Sequence, residues 1–141
     1  MAGYRWVLRG VSSNLRYTTR QEKKHLDQHL STLGSLTNNF AALIAIKKSE
    51  EWWLLTQDER REIIEDRSHH IDMGVKYITA ISRKLYHSRD IGETFDFLTW
   101  FEFNSKHVQQ FNELVDYLRS TEEWKYVIRE TDIRLQRINV I

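Results

Sequence analysis

No cysteine and no proline occur among the 141 residues, and glycine appears only five times. Without cysteine there is no disulfide, no thiolate metal ligand and no cysteine nucleophile, so a metal would have to be held by histidine, carboxylate or tyrosine. The lack of proline argues against a flexible linker of any length. Five glycines leave little material for a Gly-rich phosphate cradle, and neither that loop nor a G-x-S-x-G nucleophile turn is present. No apolar run approaches the roughly eighteen residues of a membrane span. The start of the chain, MAGYRWVLRG, lacks the charged and apolar regions of a signal peptide. An excess of one charge, 21 basic against 20 acidic side chains, removes the electrostatic case for nucleic acid. The expectation is a cytoplasmic protein whose partners include neither nucleic acid nor a membrane.

Hydrophobic residues make up 40% of the chain and aromatics 12%, ample for the core of one compact domain. Residues 4–12 begin with alternation, Trp6 and Leu8 against Arg5, Val7 and Arg9, which predicts a strand that SNLRYTT continues after a bend. RQEKKHLDQHLSTLGS is polar and reads as a short helix or loop ending near Gly34, and FAALIAIK (40–47) reads as a buried strand. TQDE then forms a capping box, Thr56 bonding forward and Glu59 back. Apolar residues recur at Ile63, Ile64, Ile71, Val75, Ile78 and Ile81, predicting one amphipathic helix of about 25 residues with Gly74 as its weak spot.

RKLYHS reads as a strand leading to a turn at RDIGE. FDFLTWFEF (95–103) alternates Phe95, Phe97, Thr99, Phe101 and Phe103 on one side, a strand facing helices. Asn104 caps a second helix, with Phe103 and Val108 placed as a hydrophobic staple and a buried face of Val108, Phe111, Leu114, Val115 and Leu118. WKYVIRETDI closes as a last strand. From residue 40 the order is strand, helix, strand, strand, helix, strand. That predicts an α+β fold, a ferredoxin-like antiparallel sheet with both helices on one face. Residues 1–39 supply one or two further strands and read as part of another such half.

Six histidines occur, and none has the spacing of a zinc site. His69 and His70 cannot share an ion from one helix face, because neighbours point about 100° apart. A haem iron needs only one protein ligand, so one histidine suffices for it, although a lone helical histidine is more often surface or satisfied core. Arg83 lies thirteen residues beyond His70. Its plain reading is a surface ion pair with Glu65, Asp66 or a later carboxylate. In a strand, however, Arg83 and Lys84 point to opposite faces, and an inward arginine needs a partner or an anion. Trp52–Trp53 reads first as core, with packing on a flat ligand as the alternative, and Glu122 and Glu123 read most simply as a solvated strand start.

KKSEEWWLLTQDERREII, VKYITAISRKLYHS, FDFLTWFEF and FNELVDYLRSTEEWKYV, in that order, closely resemble the chlorite dismutase family, above all its small, dimeric branch. The likeness spans residues 47–135. It implies two ferredoxin-like halves, a reduced remnant of the first over 1–39 and a haem-binding domain over 40–141, since this chain starts later than that branch does. It implies haem b held by His70, with Glu123 (Glu122 second) accepting a hydrogen bond from the ligand's other nitrogen, Trp53 beside the cofactor and Arg83 as the distal catalytic arginine. The implied activity is decomposition of the small anion chlorite to chloride and dioxygen, through high-valent iron-oxo and hypochlorite intermediates, by a homodimer. The alternatives are a non-catalytic haem-binding or sensing module and a haem-free interaction domain of the same fold.

Overall fold

The computed structural model describes residues 6–12, 19–21, 33–77 and 80–138. Among these, five strands form one sheet: β1 (Val11–Ser12), β2 (Phe40–Lys48), β3 (Ile81–His87), β4 (Phe97–Phe103) and β5 (Val127–Gln136). Their order is β1-β3-β4-β2-β5, and every neighbouring pair is antiparallel. The helices fully contained in the described residues are α1 (Glu50–Leu54), α2 (Gln57–Arg61), α3 (His70–Lys76) and α4 (Val108–Arg119). From β2 onward this is the expected ferredoxin-like arrangement.

Period-two alternation decides which side chains meet the helices. Register places Arg83, Phe101 and Ala42 in one row across the sheet, and Leu85, Thr99 and Ile44 in the next. Ala42, Ile44, Ile81, Phe101 and Phe103 from this face pack with Phe111, Leu114 and Val115 of α4. Phe111 stacks on Phe103 at 4.6 Å and meets Phe101 edge-on at 5.0 Å. Val108 packs on the cluster that contains Phe103, as a staple requires. Emptying a buried aromatic position such as Phe111 costs about 3–5 kcal/mol, so Phe111→Ala would shift urea unfolding strongly.

Several expectations are corrected. The predicted long helix is broken. The capping box is complete, Thr56 accepting from the Glu59 amide and Glu59 from the Thr56 amide, but α2 ends at Arg61. A π-helical turn (Glu62–Arg67) follows, and His69 adopts φ +52°, in the left-handed region. Side chains satisfy the backbone groups freed there. Glu65 accepts from the Ile71 N–H at 2.9 Å, and the Tyr117 hydroxyl donates to the Ser68 carbonyl at 3.0 Å. Gly74 lies inside α3 and is not the break; Ile78 lies outside the described residues.

The strand expected from residue 4 is not formed over residues 6–10, which are irregular, with Trp6 63% exposed; among the described residues Val11 and Ser12 pair with β3. Gly10 sets the approach, since a Cβ there would lie 2.7 Å from the Tyr86 Cβ. SNLRYTT and RQEKKHLDQHLSTLGS fall largely outside the described residues, although Gly34 does turn with φ +83°. Phe95 precedes β4 and packs with Ala45 and Leu98 on the other face, not with Phe101 and Phe103. Asn104 caps a short 3-10 turn (Ser105–His107) that leads into α4. The last strand starts at Val127, because Glu123–Tyr126 wind into a 3-10 turn.

Candidate functional site

The break at His69 brings His70 to the start of α3, and the 3-10 turn brings Glu123 inward. Glu123 is 3% exposed, and its N–H donates to the Ser68 hydroxyl at 3.0 Å. His70 Nδ1 lies 2.5 Å from Glu123 Oε2, and Lys48 Nζ donates to Oε1 at 3.1 Å. Lys48, 3% exposed at the end of β2, also sets its ammonium 3.9 Å from the centre of the Trp52 ring. Three elements thus meet in one chain of contacts: His70, Glu123, Lys48.

The electrostatics of this chain are one-sided. Burial alone would push the Glu123 carboxyl up, but the His70 and Lys48 charges and hydrogen bonds outweigh it and bring it down to about 2. Burial pushes the Lys48 ammonium down, against the pull of Glu123 and Asp96. An ionised carboxylate offers only lone pairs, so the Nδ1 it meets carries the hydrogen. In the neutral ring Nε2 is then left with a free lone pair.

Arg83 sits in contrasting surroundings. It is half-buried on the helix-covered face, and among the described residues it makes no hydrogen bond or ion pair. The expected surface pair with Glu65 or Asp66 is not formed: Glu65 caps α3 instead. Burial lowers the guanidinium's pKa, with nothing offsetting it.

Trp52 and Trp53 diverge. Trp52 is core, 1% exposed among Ile63, Ile64 and Ile71. Trp53 is half-buried, stacked on Phe97 at 6.0 Å, with Arg89 4.2 Å above its ring and its Nε1–H donated to Asp96 Oδ2 at 3.3 Å. Glu122 stays at the surface, paired with Arg67 at 2.9 Å. That separates two glutamates which the sequence left as first and second choice.

Lys48 and Asp96 were not anticipated. One signal for Lys48 was present, since alternation from Ala42, Ile44 and Ile46 turns the second lysine of KK to the core face. Nothing local marks Asp96 apart from its place between two phenylalanines.

Among the described residues no group of three or more histidine, aspartate and glutamate side chains is placed to hold a bare metal ion. One imidazole with a free Nε2 suits a metal whose other ligands come from a macrocycle. Among the same residues no helix is long and apolar enough to cross a membrane.

Fold and donor set together describe a ferredoxin-like α+β domain with an oriented histidine on its helical face. The family model described as Chlorite dismutase matches residues 2–138, and the chain belongs to that family. It is 32% identical over 122 residues to a chlorite dismutase of Ideonella dechloratans, a match covering 85% of this chain. That match takes in 41% of the relative, so the chain spans less than half the length of that protein. A solved dimeric chlorite dismutase from Nitrobacter winogradskyi is 57% identical, with a TM-score of 0.91 over 94% of this chain and 77% of that one. A variant chlorite dismutase from Candidatus Nitrospira defluvii, with one tryptophan and one arginine replaced, is 26% identical, with a TM-score of 0.72 over 89% of this chain and 51% of that one.

Proposed function

We propose that this chain is a haem b enzyme that decomposes chlorite to chloride and dioxygen, with His70 as the iron's protein ligand and Arg83 as the residue that handles the anion. The observation that carries the reading is the His70–Glu123–Lys48 chain. A buried carboxylate fixes the histidine's tautomer and ring plane, and leaves Nε2 free to ligate. The donor set fits a haem, because a single neutral nitrogen ligand is what a haem protein must supply.

When bound, haem b would supply the redox-active iron for moving oxygen between chlorine oxyanions. The protein's own contribution is orientation and charge. Glu123 holds the Nδ1 hydrogen of His70 and so raises the basicity of Nε2, while Lys48 keeps Glu123 ionised. Arg83 presents a permanent positive charge that no carboxylate among the described residues neutralises. It would draw in chlorite and detain hypochlorite, both small monoanions, within the site. Trp53, with its flat half-buried ring, would help to hold the cofactor. The unpaired Arg83 favours an enzyme over a non-catalytic haem-binding module, which would gain nothing from desolvating a guanidinium.

The remaining expectations belong to the same proposal: a segment over 1–39 belonging to another ferredoxin-like half, a haem domain over 40–141, a cytoplasmic setting and a homodimer. The Nitrobacter protein is a dimer, and in this chain Leu135 on the outermost strand is 45% exposed. Sedimentation should give twice 17.0 kDa; a monomer at micromolar concentration would remove the dimer. The decisive experiment adds haem b, records the Soret band, and follows oxygen release from chlorite. A Soret band without oxygen would leave the binding module; neither would sink the reading.

A further inference from the structure

Asp96 is a 3% exposed carboxylate that stands where the β2–β4 ladder ends. β4 begins opposite Ile46, and the Asp96 N–H donates to the Ile46 carbonyl at 2.9 Å. The Lys48 N–H lies beyond that ladder, and the Asp96 carbonyl is already taken by the Ser88 N–H at 2.9 Å. The side chain fills the gap: Asp96 Oδ2 accepts the Lys48 N–H at 2.6 Å. On the other edge of β2 the register slips at the same place, Lys47 pairing with Arg129 but Lys48 with Val127. Lys48 therefore sits where the ladder is irregular on one side and finished on the other, and the carboxylate pins its main chain. The same oxygen accepts from Trp53 Nε1, and the second oxygen lies 4.0 Å from Arg89 Nε.

We infer that Asp96 is a positioning residue for His70. By fixing the main chain of Lys48 it sets where the ammonium meets Glu123, and hence how strongly Glu123 draws on the His70 Nδ1 hydrogen. Asp96 touches neither His70 nor Glu123; it acts through Lys48. Because it also holds the Trp53 indole, one buried group ties the ligand's support to the aromatic side chain beside it. The haem consequences rest on the proposed function, whereas the coupling of Asp96 to His70 is a property of the protein alone.

The test uses the full-length 15N-labelled protein, without and with added haem b, as wild type, Asp96→Asn, Asp96→Ala, Lys48→Met and the Asp96→Asn/Lys48→Met double variant. In the haem-free protein Asp96→Asn should move the ring-nitrogen resonances of His70, and Asp96→Ala should move them further, since asparagine keeps one acceptor oxygen. In the Lys48→Met background the same substitution should move them by less than about half as much, because the route through the ammonium is gone. With haem bound, the reduction potential should show the same non-additivity. Should the alanine variant fail to fold, the near-isosteric asparagine variant decides alone. His70 resonances that stay put in folded Asp96→Asn, or move equally in both backgrounds, overturn the inference and leave Asp96 a purely stabilising residue. A wild type without a Soret band would sink the proposed function, while the haem-free resonances still decide the role of Asp96.

Discussion

His70 and Arg83 both belong to the helix-covered side of the sheet, yet they are kept in opposite ways. His70 is wired: its ring meets a buried carboxylate, which meets a buried ammonium, which is pinned by a second buried carboxylate. Arg83 makes no polar contact among the described residues, although burial already disfavours its charge. On the proposed function His70 would be a ligand that must hold one orientation and one tautomer, and its neighbours already fix both. On the same reading Arg83 would receive an anion, and its donors would have to stay open at the cost of a desolvated cation. The wired side invests in order, and the open side in unspent charge.

The largest effect should come from cutting the wire at either end. His70→Ala should abolish the ferric-haem Soret band, while His69→Ala should leave it nearly as in wild type; equal spectra would break the assignment. Glu123→Ala strands the Lys48 ammonium in the interior, which should cost about 3–5 kcal/mol in urea unfolding. Glu123→Gln, which keeps the shape, should weaken haem affinity by about ten- to a hundredfold. A Glu123→Ala protein as stable as wild type would mean that Lys48 finds another partner.

Arg83 should respond more mildly. Arg83→Ala should bind haem as wild type does, because nothing in the His70 chain touches it. Loss of one charge-assisted contact to an anion, roughly 1.5–3 kcal/mol, should slow chlorite turnover about ten- to a hundredfold. Escaping hypochlorite should also chlorinate an added trap and bleach the haem sooner. Arg83→Lys, with charge but no planar fork, should fall between the two. If rate, oxygen yield and survival all match wild type, the contrast between the two sides has no functional meaning.

The smallest effect belongs to an ion cluster outside both. Asp132 accepts from Arg134 at 2.7 Å and from Arg119 at 2.8 Å at a partly exposed position. Burial raises its carboxyl, but the two guanidinium groups outweigh this and hold it below the ordinary 3.8. Its contribution to stability is therefore present above pH 3.8 and lost as pH falls through the lower folded value. Solvent screening keeps that acid limb shallow. Asp132→Asn should flatten it slightly in unfolding curves below pH 4 and leave the Soret band alone; a shifted band would place this cluster inside the wired region.

What the amino-acid order determined here is what acts over a few residues. The buried strand FAALIAIK, the alternation of FDFLTWFEF from Phe97 onward, the staple around Asn104 and the capping box from Thr56 to Glu59 depend on neighbours one to five positions away, and they appear in the structure. Phe95 departs from that alternation. The resemblance of four ordered blocks also carried His70, Arg83, Glu123 and Trp53 as candidates, and the geometry joins His70 to Glu123. Tertiary structure decided the rest. The periodic run through Ile63, Ile64 and Ile71 reads as one helix because periodicity does not register a single residue at φ +52°. Glu65 and the distant Tyr117 hold the backbone on either side of that residue. His70 and Glu123 are 53 positions apart, and Glu123 and Lys48 are 75 apart. Whether a lysine at the end of a strand lies in water or against a buried carboxylate depends on which segments the fold brings together, and no local pattern encodes that meeting.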